Sequence, residues 1–255
     1  MPSINAKSGD AQLIELGLAV ANAVHESVTG AFEHGMTGAR EGQYAFDVVA
    51  NDAALKVLHA AAVRVLSEES GVEPGSWPLR GDALLAILDP LDGSTNADRG
   101  IPWFSTSIAF VDAKGLRAAV VVNQISGDTF TATRGGGALR NGQLIRVATE
   151  KPLNECVVGL SGLPKANPGW WQFRVLGSAA LDLCLVASGG LDAWMDCESH
   201  GIWDYAGGML IVAEAGGTVQ EVFGEEPIHA DYEARRTIVA AASEEVGNQL
   251  KIFRK

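Results

Sequence analysis

The sequence predicts a mixed α/β protein in which helices and sheets stack in layers. Apolar residues follow a helical spacing in the first quarter of the chain, and from Ala83 onward short apolar runs typical of strands alternate with helical segments. The chain has 255 residues, of which 47% are hydrophobic, enough for a sizeable core. We expect a single domain over residues 1–255, with halves of about 1–150 and 151–255 that meet at a cleft.

The first half is predicted to begin with two helices. Leu13, Leu16 and similarly spaced residues predict a helix over Ala11–Phe32, and the Gly-rich, charged segment Glu33–Tyr44 predicts a loop. A second helix is predicted from about Asn51 through Leu66, followed by a connecting loop as far as Asp82.

Strands are predicted after this loop. Asn141-Gly142 between two short apolar runs, Ala138–Arg140 and Leu144–Val147, indicates a type I′ hairpin. The other strands predicted in the first half are Ala83–Leu88, Ser107–Val111, Ala118–Asn123 and Asp128–Thr133.

The second half is predicted to contain three helices among five strands. Ser178 is a candidate N-cap for a helix through Ala187, Gly216-Gly217 ends a helix over Trp203–Ala215, and a last helix covers Glu244–Phe253. The predicted strands are Cys156–Leu160, Phe173–Leu176, Leu191–Met195, Thr218–Phe223 and Thr237–Ala241.

Composition excludes several classes of partner. The net charge of −12 at pH 7 leaves no basic patch to replace the counterions of a nucleic acid or to bind an acidic membrane. No apolar run reaches about 18 residues and no signal peptide is visible, so we expect neither a membrane span nor export. Three widely spaced cysteines without a C-x-x-C motif fit a reduced, cytoplasmic protein.

The most informative segment is Leu88–Asn96, which carries Asp89 and Asp92 at the predicted end of a buried strand. Two carboxylates at the edge of a core are costly unless a positive charge compensates them, and the segment contains no Lys or Arg. A bound divalent cation is the natural counter-charge. The Gly-Ser-Thr-Asn that follows is typical of a helix start, whose free amides suit a phosphate.

Two further acidic features accompany this segment. Glu68-Glu69 follows the second predicted helix, and Asp204 lies in the first turn of a later helix. Taken singly, a glutamate pair before a loop is most often a solvated surface feature, and an aspartate in a first helical turn is most often a cap.

Together these segments closely resemble the three signature motifs of the inositol monophosphatase family, in the family's order. The resemblance runs from about Asp47 to Ala242. Its motifs are Glu68-Glu69-Ser70, Asp89–Asn96 and Trp203-Asp204-Tyr205-Ala206-Gly207-Gly208 with Glu214-Ala215-Gly216-Gly217. The resemblance implies a layered αβαβα sandwich of the inositol monophosphatase and sugar phosphatase type, a magnesium-dependent phosphomonoesterase activity and a homodimer.

The resemblance also implies a ligand set for two or three Mg²⁺ ions. Glu68 matches a ligand of the first metal and also a catalytic residue, Asp89 a bridging ligand, and the Leu91 carbonyl a further ligand of the first metal. Asp92 and Asp204 match ligands of the second metal. An all-oxygen set of this kind suits Mg²⁺, and no His or Cys cluster favours zinc.

Roles beyond the metals follow from the same resemblance. Ser94 stands where the family usually has the threonine that orients the attacking water, and Asp52 matches its acidic partner. The amides of Gly93 and Ser94 match phosphate-binding groups. Substrate contacts are implied for Gly177, Ser178 and Ala179, and for Cys197, which lies seven residues before Asp204. Inositol-specific members carry a glutamate at that last position, so we expect inositol phosphate to be a poor substrate.

The function expected is Mg²⁺-dependent hydrolysis of a small phosphorylated metabolite. The candidate substrates are inositol phosphate, another sugar or cyclitol phosphate, histidinol phosphate, and a nucleotide such as 3′-phosphoadenosine 5′-phosphate. One alternative is a regulatory binding protein that has kept the fold and lost catalysis. Another is a structural metal-binding protein, which would not need Gly93 and Ser94 for a phosphate.

Overall fold

The computed structural model of the chain describes residues 3–29, 35–37 and 43–254. In this part of the chain a helix pair, an eight-stranded sheet, a second helix pair, a five-stranded sheet and a last helix are stacked in that order. The predicted αβαβα layering is confirmed. The helices are α1 (Asp10–Thr29), α2 (Ala45–Ala60), the short α3 (Ser94–Arg99), α4 (Ala179–Ala187), α5 (Ile202–Glu214) and α6 (Glu244–Arg254).

The two sheets are built from separate stretches of the chain. The large sheet has the order β2-β1-β3-β4-β5-β6-β7-β8 and is antiparallel except where β1 pairs with β3. Its strands are β1 (Arg64–Ser67), β2 (Gly71–Val72), β3 (Leu85–Asp92), β4 (Ser105–Asp112), β5 (Gly115–Asn123), β6 (Thr129–Thr133), β7 (Gly137–Arg140) and β8 (Gln143–Leu144). The small sheet has the order β10-β9-β11-β13-β12 and consists of β9 (Val157–Ser161), β10 (Gln172–Arg174), β11 (Ala193–Asp196), β12 (Thr218–Glu221) and β13 (Ile238–Ala241).

Among the described residues, three apolar cores hold the layers together. The first joins α1 and α2 to one face of the large sheet, and the third joins α6 to the outer face of the small sheet. The middle core lies between the two sheets and encloses α4 and α5. Eight of the nine residues of α4 are buried, which explains why every residue of this helix except Asp182 is apolar.

The predicted boundaries of the second helix are wrong. The helix ends at Ala60, because Ala62 takes a left-handed φ of 58° that reverses the chain. Residues 64–66, which we expected to end the helix, instead belong to β1, which pairs in parallel with β3. Val63 and Val65 on either side of Arg64 gave only a short period-2 signal for this strand, which the apolar Leu66 interrupts.

The type I′ hairpin is confirmed, since Asn141 and Gly142 have φ values of 51° and 76°. Ser178 caps α4 as predicted, accepting a hydrogen bond from the amide of Leu181. Residues 30–32 of the first predicted helix and most of the predicted loop after it lie outside the described residues. In the described part of the chain, no helix combines the length and hydropathy that a membrane crossing requires.

Candidate metal and phosphate site

Three carboxylates meet at the end of β3. One oxygen from each of Asp89, Asp92 and Asp204 lies within 4.8 Å of the other two. Asp89 and Asp92 are three positions apart, and side chains at that spacing point to opposite faces of a regular strand. The pairing of β3 with β4 shifts register between these two residues, and this bulge brings both carboxylates to the same place.

The bulge is centred on Pro90, which has no N–H to give to the ladder. The hydroxyl of Thr106 on β4 donates to the Pro90 carbonyl at 2.8 Å, and the amide of Leu91 donates to Asp89 Oδ1 at 2.9 Å. We had expected the strand to end before Asp89. The structure continues it through Asp92, because pairing with β4 resumes on the far side of the bulge.

The electrostatics of this cluster favour the binding of a cation. Asp89 is 1% exposed, and its Oδ2 has no hydrogen-bond partner among the described residues. Burial, followed by the charges of Glu68, Asp92 and Asp204, raises the pKa of Asp89 well above its usual value. Burial likewise raises the pKa of Asp204 to about 6, although the charge of His200 opposes this shift. A group of close carboxylate oxygens, of which Asp89 Oδ2 has no hydrogen-bond partner among the described residues, suits a hard divalent ion such as Mg²⁺.

Glu68 lies at the edge of the same cluster, immediately after β1. Its amide donates to the Leu88 carbonyl at 3.1 Å, and its carbonyl accepts a 2.6 Å hydrogen bond from the Tyr232 hydroxyl. These bonds fix the backbone of Glu68 against β3 and against the segment before β13. The charge of Glu68 raises the pKa of Asp89, so Glu68 lies near this carboxylate, although the oxygens within 4.8 Å of one another are those of Asp89, Asp92 and Asp204.

The Ser94 hydroxyl lies at the centre of the predicted catalytic group. Its Oγ is 2.8 Å from the Leu91 carbonyl oxygen and 2.8 Å from Asp47 Oδ1. The sequence interpretation that paired Ser94 with Asp52 is therefore wrong. Asp47 is buried in the first turn of α2, whereas Asp52 lies five residues later, on the exposed side of that helix.

Gly93 shapes the turn that presents Ser94. Its φ of 93° is left-handed, and a Cβ at this position would lie 3.0 Å from the Gly177 carbonyl oxygen and 3.1 Å from that of Trp103. Gly177 has a φ of 90°, and a Cβ there would lie 2.9 Å from Nδ2 of Asn96. Both glycines are needed for the close approach of this turn to the start of α4.

The start of α4 holds Asp92. The hydroxyl of Ser178 donates to Asp92 Oδ2 at 2.5 Å, and the amides of Ala179 and Ala180 donate to its two oxygens at 3.3 and 2.8 Å. The N-terminal end of a helix stabilises a carboxylate in this position. Gly177, Ser178 and Ala179 also line a cavity beside Asp92, of about 220 Å³.

Cys197 lies on the wrong side of the small sheet for its predicted substrate contact. Its side chain packs with Ala193 and Met195 in the core shared with α6. Asp196, one residue earlier, has the opposite orientation and is fully buried on the face that carries the cavity. Counting seven residues back from Asp204 therefore does not identify the side chain that faces the cavity. Which side chain does so depends on how β11 pairs within the small sheet.

His200 is a residue of this cavity that sequence reasoning did not single out. Its Nδ1 lies 3.0 Å from Asp196 Oδ2, its Nε2 lies 3.2 Å from Ser161 Oγ, and it lines the same cavity. Burial lowers the pKa of His200, but Asp196, Asp204 and Asp92 together raise it to about 9. The i, i+4 spacing of Asp196 and His200 was the available signal, although this segment is not a helix.

Comparisons with known proteins show what the chain as a whole resembles. The profile of the inositol monophosphatase family matches residues 9–254. The chain is 39% identical over 207 residues to a fructose-1,6-bisphosphatase/inositol-1-monophosphatase of Archaeoglobus fulgidus, covering 77% of this chain and 78% of that protein.

Two further likenesses bear on function and fold. The chain is 34% identical over 181 residues to the Nus factor SuhB of Xylella fastidiosa, covering 66% of this chain and 63% of that protein. A Pyrococcus horikoshii protein described as having similarities to inositol-1 monophosphatase superposes with a TM-score of 0.84 at 24% identity, covering 96% of this chain and 99% of that one. The second likeness concerns the fold alone.

Proposed function

The chain belongs to the inositol monophosphatase family, and we propose that it hydrolyses a small phosphomonoester using two or three Mg²⁺ ions. The observation that carries this proposal is the group of buried carboxylates around Asp89, whose Oδ2 is unpartnered among the described residues. Glu68, Asp89, Asp92, Asp204 and the Leu91 carbonyl would hold the ions. When bound, such ions offset the charge of the phosphate and activate a water.

Ser94 and Asp47 would handle the proton of the attacking water. Ser94 Oγ can accept a hydrogen bond from the water, while its own proton is directed to Asp47 at 2.8 Å. The Tyr44 amide donates to the other oxygen of Asp47 at 2.9 Å and keeps this carboxylate in place. Asp47 thus takes the role that we had assigned to Asp52, and the amides of Gly93 and Ser94 would bind the phosphate.

The cavity beside Asp92 would receive the leaving alcohol. Its volume of about 220 Å³ is below the roughly 300–1,000 Å³ of pockets that enclose drug-sized ligands. This size favours a sugar or cyclitol phosphate over a nucleotide. The expectation that inositol phosphate is a poor substrate depended on Cys197, and it loses its basis now that Cys197 faces α6.

A panel of phosphate esters tests the proposal. Wild-type protein should release phosphate from at least one sugar or cyclitol phosphate only when Mg²⁺ is present, and EDTA should abolish the release. A panel in which no ester is hydrolysed at saturating Mg²⁺ would contradict the proposal.

A regulatory binding protein is the second candidate, because one relative is named Nus factor SuhB. The acidic ligand set, together with the Ser94–Asp47 pair, supports catalysis over this reading. The same panel separates the two, since a protein with only a binding role would bind Mg²⁺ without releasing phosphate.

We also propose that the protein is a cytoplasmic homodimer. The three cysteines are free thiols, in keeping with a reducing compartment. Strand β10 is an edge strand, and Phe173 on it, with Trp171 just before it and Val175 just after it, forms an apolar row whose exposed fractions are 50%, 64% and 52%. An exposed apolar row on a sheet edge is the kind of surface that a second copy covers.

A further inference from the structure

Asp196, His200 and Ser161 form a chain of polar contacts on one wall of the cavity beside Asp92. Asp196 on β11 and Ser161 on β9 are direct cross-strand partners, so their side chains share a face of the small sheet. His200 lies between them, 3.0 Å from Asp196 Oδ2 and 3.2 Å from Ser161 Oγ.

The Asp196 carboxylate has little freedom to move. Its Oδ1 accepts hydrogen bonds from the amides of Glu198 and Ser199 at 2.8 and 2.9 Å, and its Oδ2 faces His200. Because this carboxylate is fully buried and already bonded, it anchors the imidazole rather than meeting a ligand. The imidazole is further fixed by the Trp194 ring, whose centroid lies 5.7 Å away in an edge-on arrangement.

The Ser161 hydroxyl is held at the end of this chain. The 3.2 Å contact with His200 fixes Oγ whichever atom donates, and leaves a second hydrogen-bonding direction of the hydroxyl for another group. Ser161 is half-buried and lines the cavity together with Asp92, Gly177 and Ser178, so that direction is available to a molecule bound there.

We propose that Ser161, held in place by His200 and Asp196, hydrogen-bonds a hydroxyl group of the leaving alcohol and so selects polyol phosphates over esters that lack hydroxyls. The proposal rests on the phosphatase function above and names the substrate class for that site. Ser161 is the group that would touch the substrate, whereas His200 and Asp196 are positioning residues.

A comparison of two phosphate esters measures this selectivity directly. The kcat/KM of the best polyol phosphate of the panel is divided by that of phenyl phosphate, whose leaving alcohol carries no further hydroxyl. Ser161→Ala should lower this ratio about 3- to 10-fold, the range expected for one hydrogen bond to a neutral partner. Taking a ratio cancels any effect of the substitution that is common to both esters.

Three variants separate positioning from a merely structural role. Ser161→Thr keeps the hydroxyl and should restore the ratio. His200→Asn keeps a polar group near the position of Nδ1, which faces Asp196, but lacks the Nε2 that contacts Ser161, so it should lower the ratio, whereas a structural defect would slow both esters alike. Ser27→Ala is the matched control, since Ser27 bonds the Val24 carbonyl within α1, outside this cavity, and should leave the ratio unchanged.

The outcomes are distinct. If wild-type protein hydrolyses both esters and Ser161→Ala leaves the ratio unchanged, this inference is overturned and the proposed function stands. If wild-type protein hydrolyses neither ester with Mg²⁺, the proposed function fails and the inference fails with it. A lowered ratio in Ser161→Ala that Ser161→Thr restores supports both.

Discussion

Asp47 and Asp52 lie five residues apart on α2 and show what a motif can and cannot identify. Both are aspartates near the start of a helix in the sequence, but only Asp47 faces the site, where it meets Ser94. The carboxylates of the metal cluster could be predicted because short, distinctive motifs carry them. The partner of Ser94 depended on where α2 begins, and boundaries are the least certain part of any sequence interpretation.

At this scale we expect Asp47→Asn and Ser94→Ala each to lower kcat by about 10²-fold, because both remove the path for the proton of the attacking water. Mg²⁺ affinity, measured by calorimetry, should stay within a few-fold of wild type. Asp52→Asn is the matched control and should retain full turnover, as Asp52 is exposed. A loss of turnover in Asp52→Asn alone would reverse the assignment.

The raised pKa values of the carboxylates predict how stability depends on pH without metal. The pKa of Asp204 is about 6 in the folded chain, against an ordinary value near 4, so ionisation of Asp204 disfavours the folded state. This destabilisation is absent below about pH 4, grows as pH rises from about 4 to about 6, and is fully present above pH 6. In EDTA, Asp204→Asn should therefore be more stable than wild type at pH 7, with a difference that disappears towards pH 4. Urea denaturation at both pH values checks this, and an equal difference at both would contradict it.

The turn between β3 and α3 sets the geometry of the site at the scale of elements. The sequence predicted a tight turn and a helix start here, and both are present. The sequence did not predict the bulge between Asp89 and Asp92. A register shift depends on how β3 pairs with β4, and no local sequence pattern indicates it. The same holds for Cys197, whose orientation depends on the register of β11.

Gly93 in this turn and Gly100 at the C-terminal end of α3 provide a matched pair. Gly93→Ala should destabilise the fold by about 2–4 kcal/mol, since a left-handed φ is combined with carbonyl oxygens at 3.0 and 3.1 Å. Gly100→Ala, at a left-handed φ of 69° with no atom within 4 Å, should cost only about 1 kcal/mol. The free energy of unfolding in urea measures both. Equal losses would show that close packing around Gly93 is unimportant.

Across the whole molecule, the predicted layering is confirmed because alternating helical and strand periods are global features of the sequence. The exposed row on β10 was not predicted, since Trp170-Trp171 gave no indication of which ring is buried. The structure buries Trp170 and exposes Trp171.

If a second copy covers this row, Phe173→Lys combined with Val175→Lys should convert a dimer to a monomer in sedimentation equilibrium. Ile252→Lys is the control, because Ile252 is 71% exposed on α6 and lies outside the row. A wild-type protein that sediments as a monomer would refute the dimer.

The account as a whole depends on Asp89 binding the catalytic metal ions, and Asp89→Asn tests it most directly. Mg²⁺ binding by calorimetry and Mg²⁺-dependent phosphate release are measured on the same preparations of wild type and variant. We predict that the variant binds Mg²⁺ at least 10-fold more weakly and loses nearly all turnover, while its metal-free form is as stable as wild type or more so, because like charges are removed from the cluster. Near-normal turnover of Asp89→Asn at saturating Mg²⁺ would contradict the account.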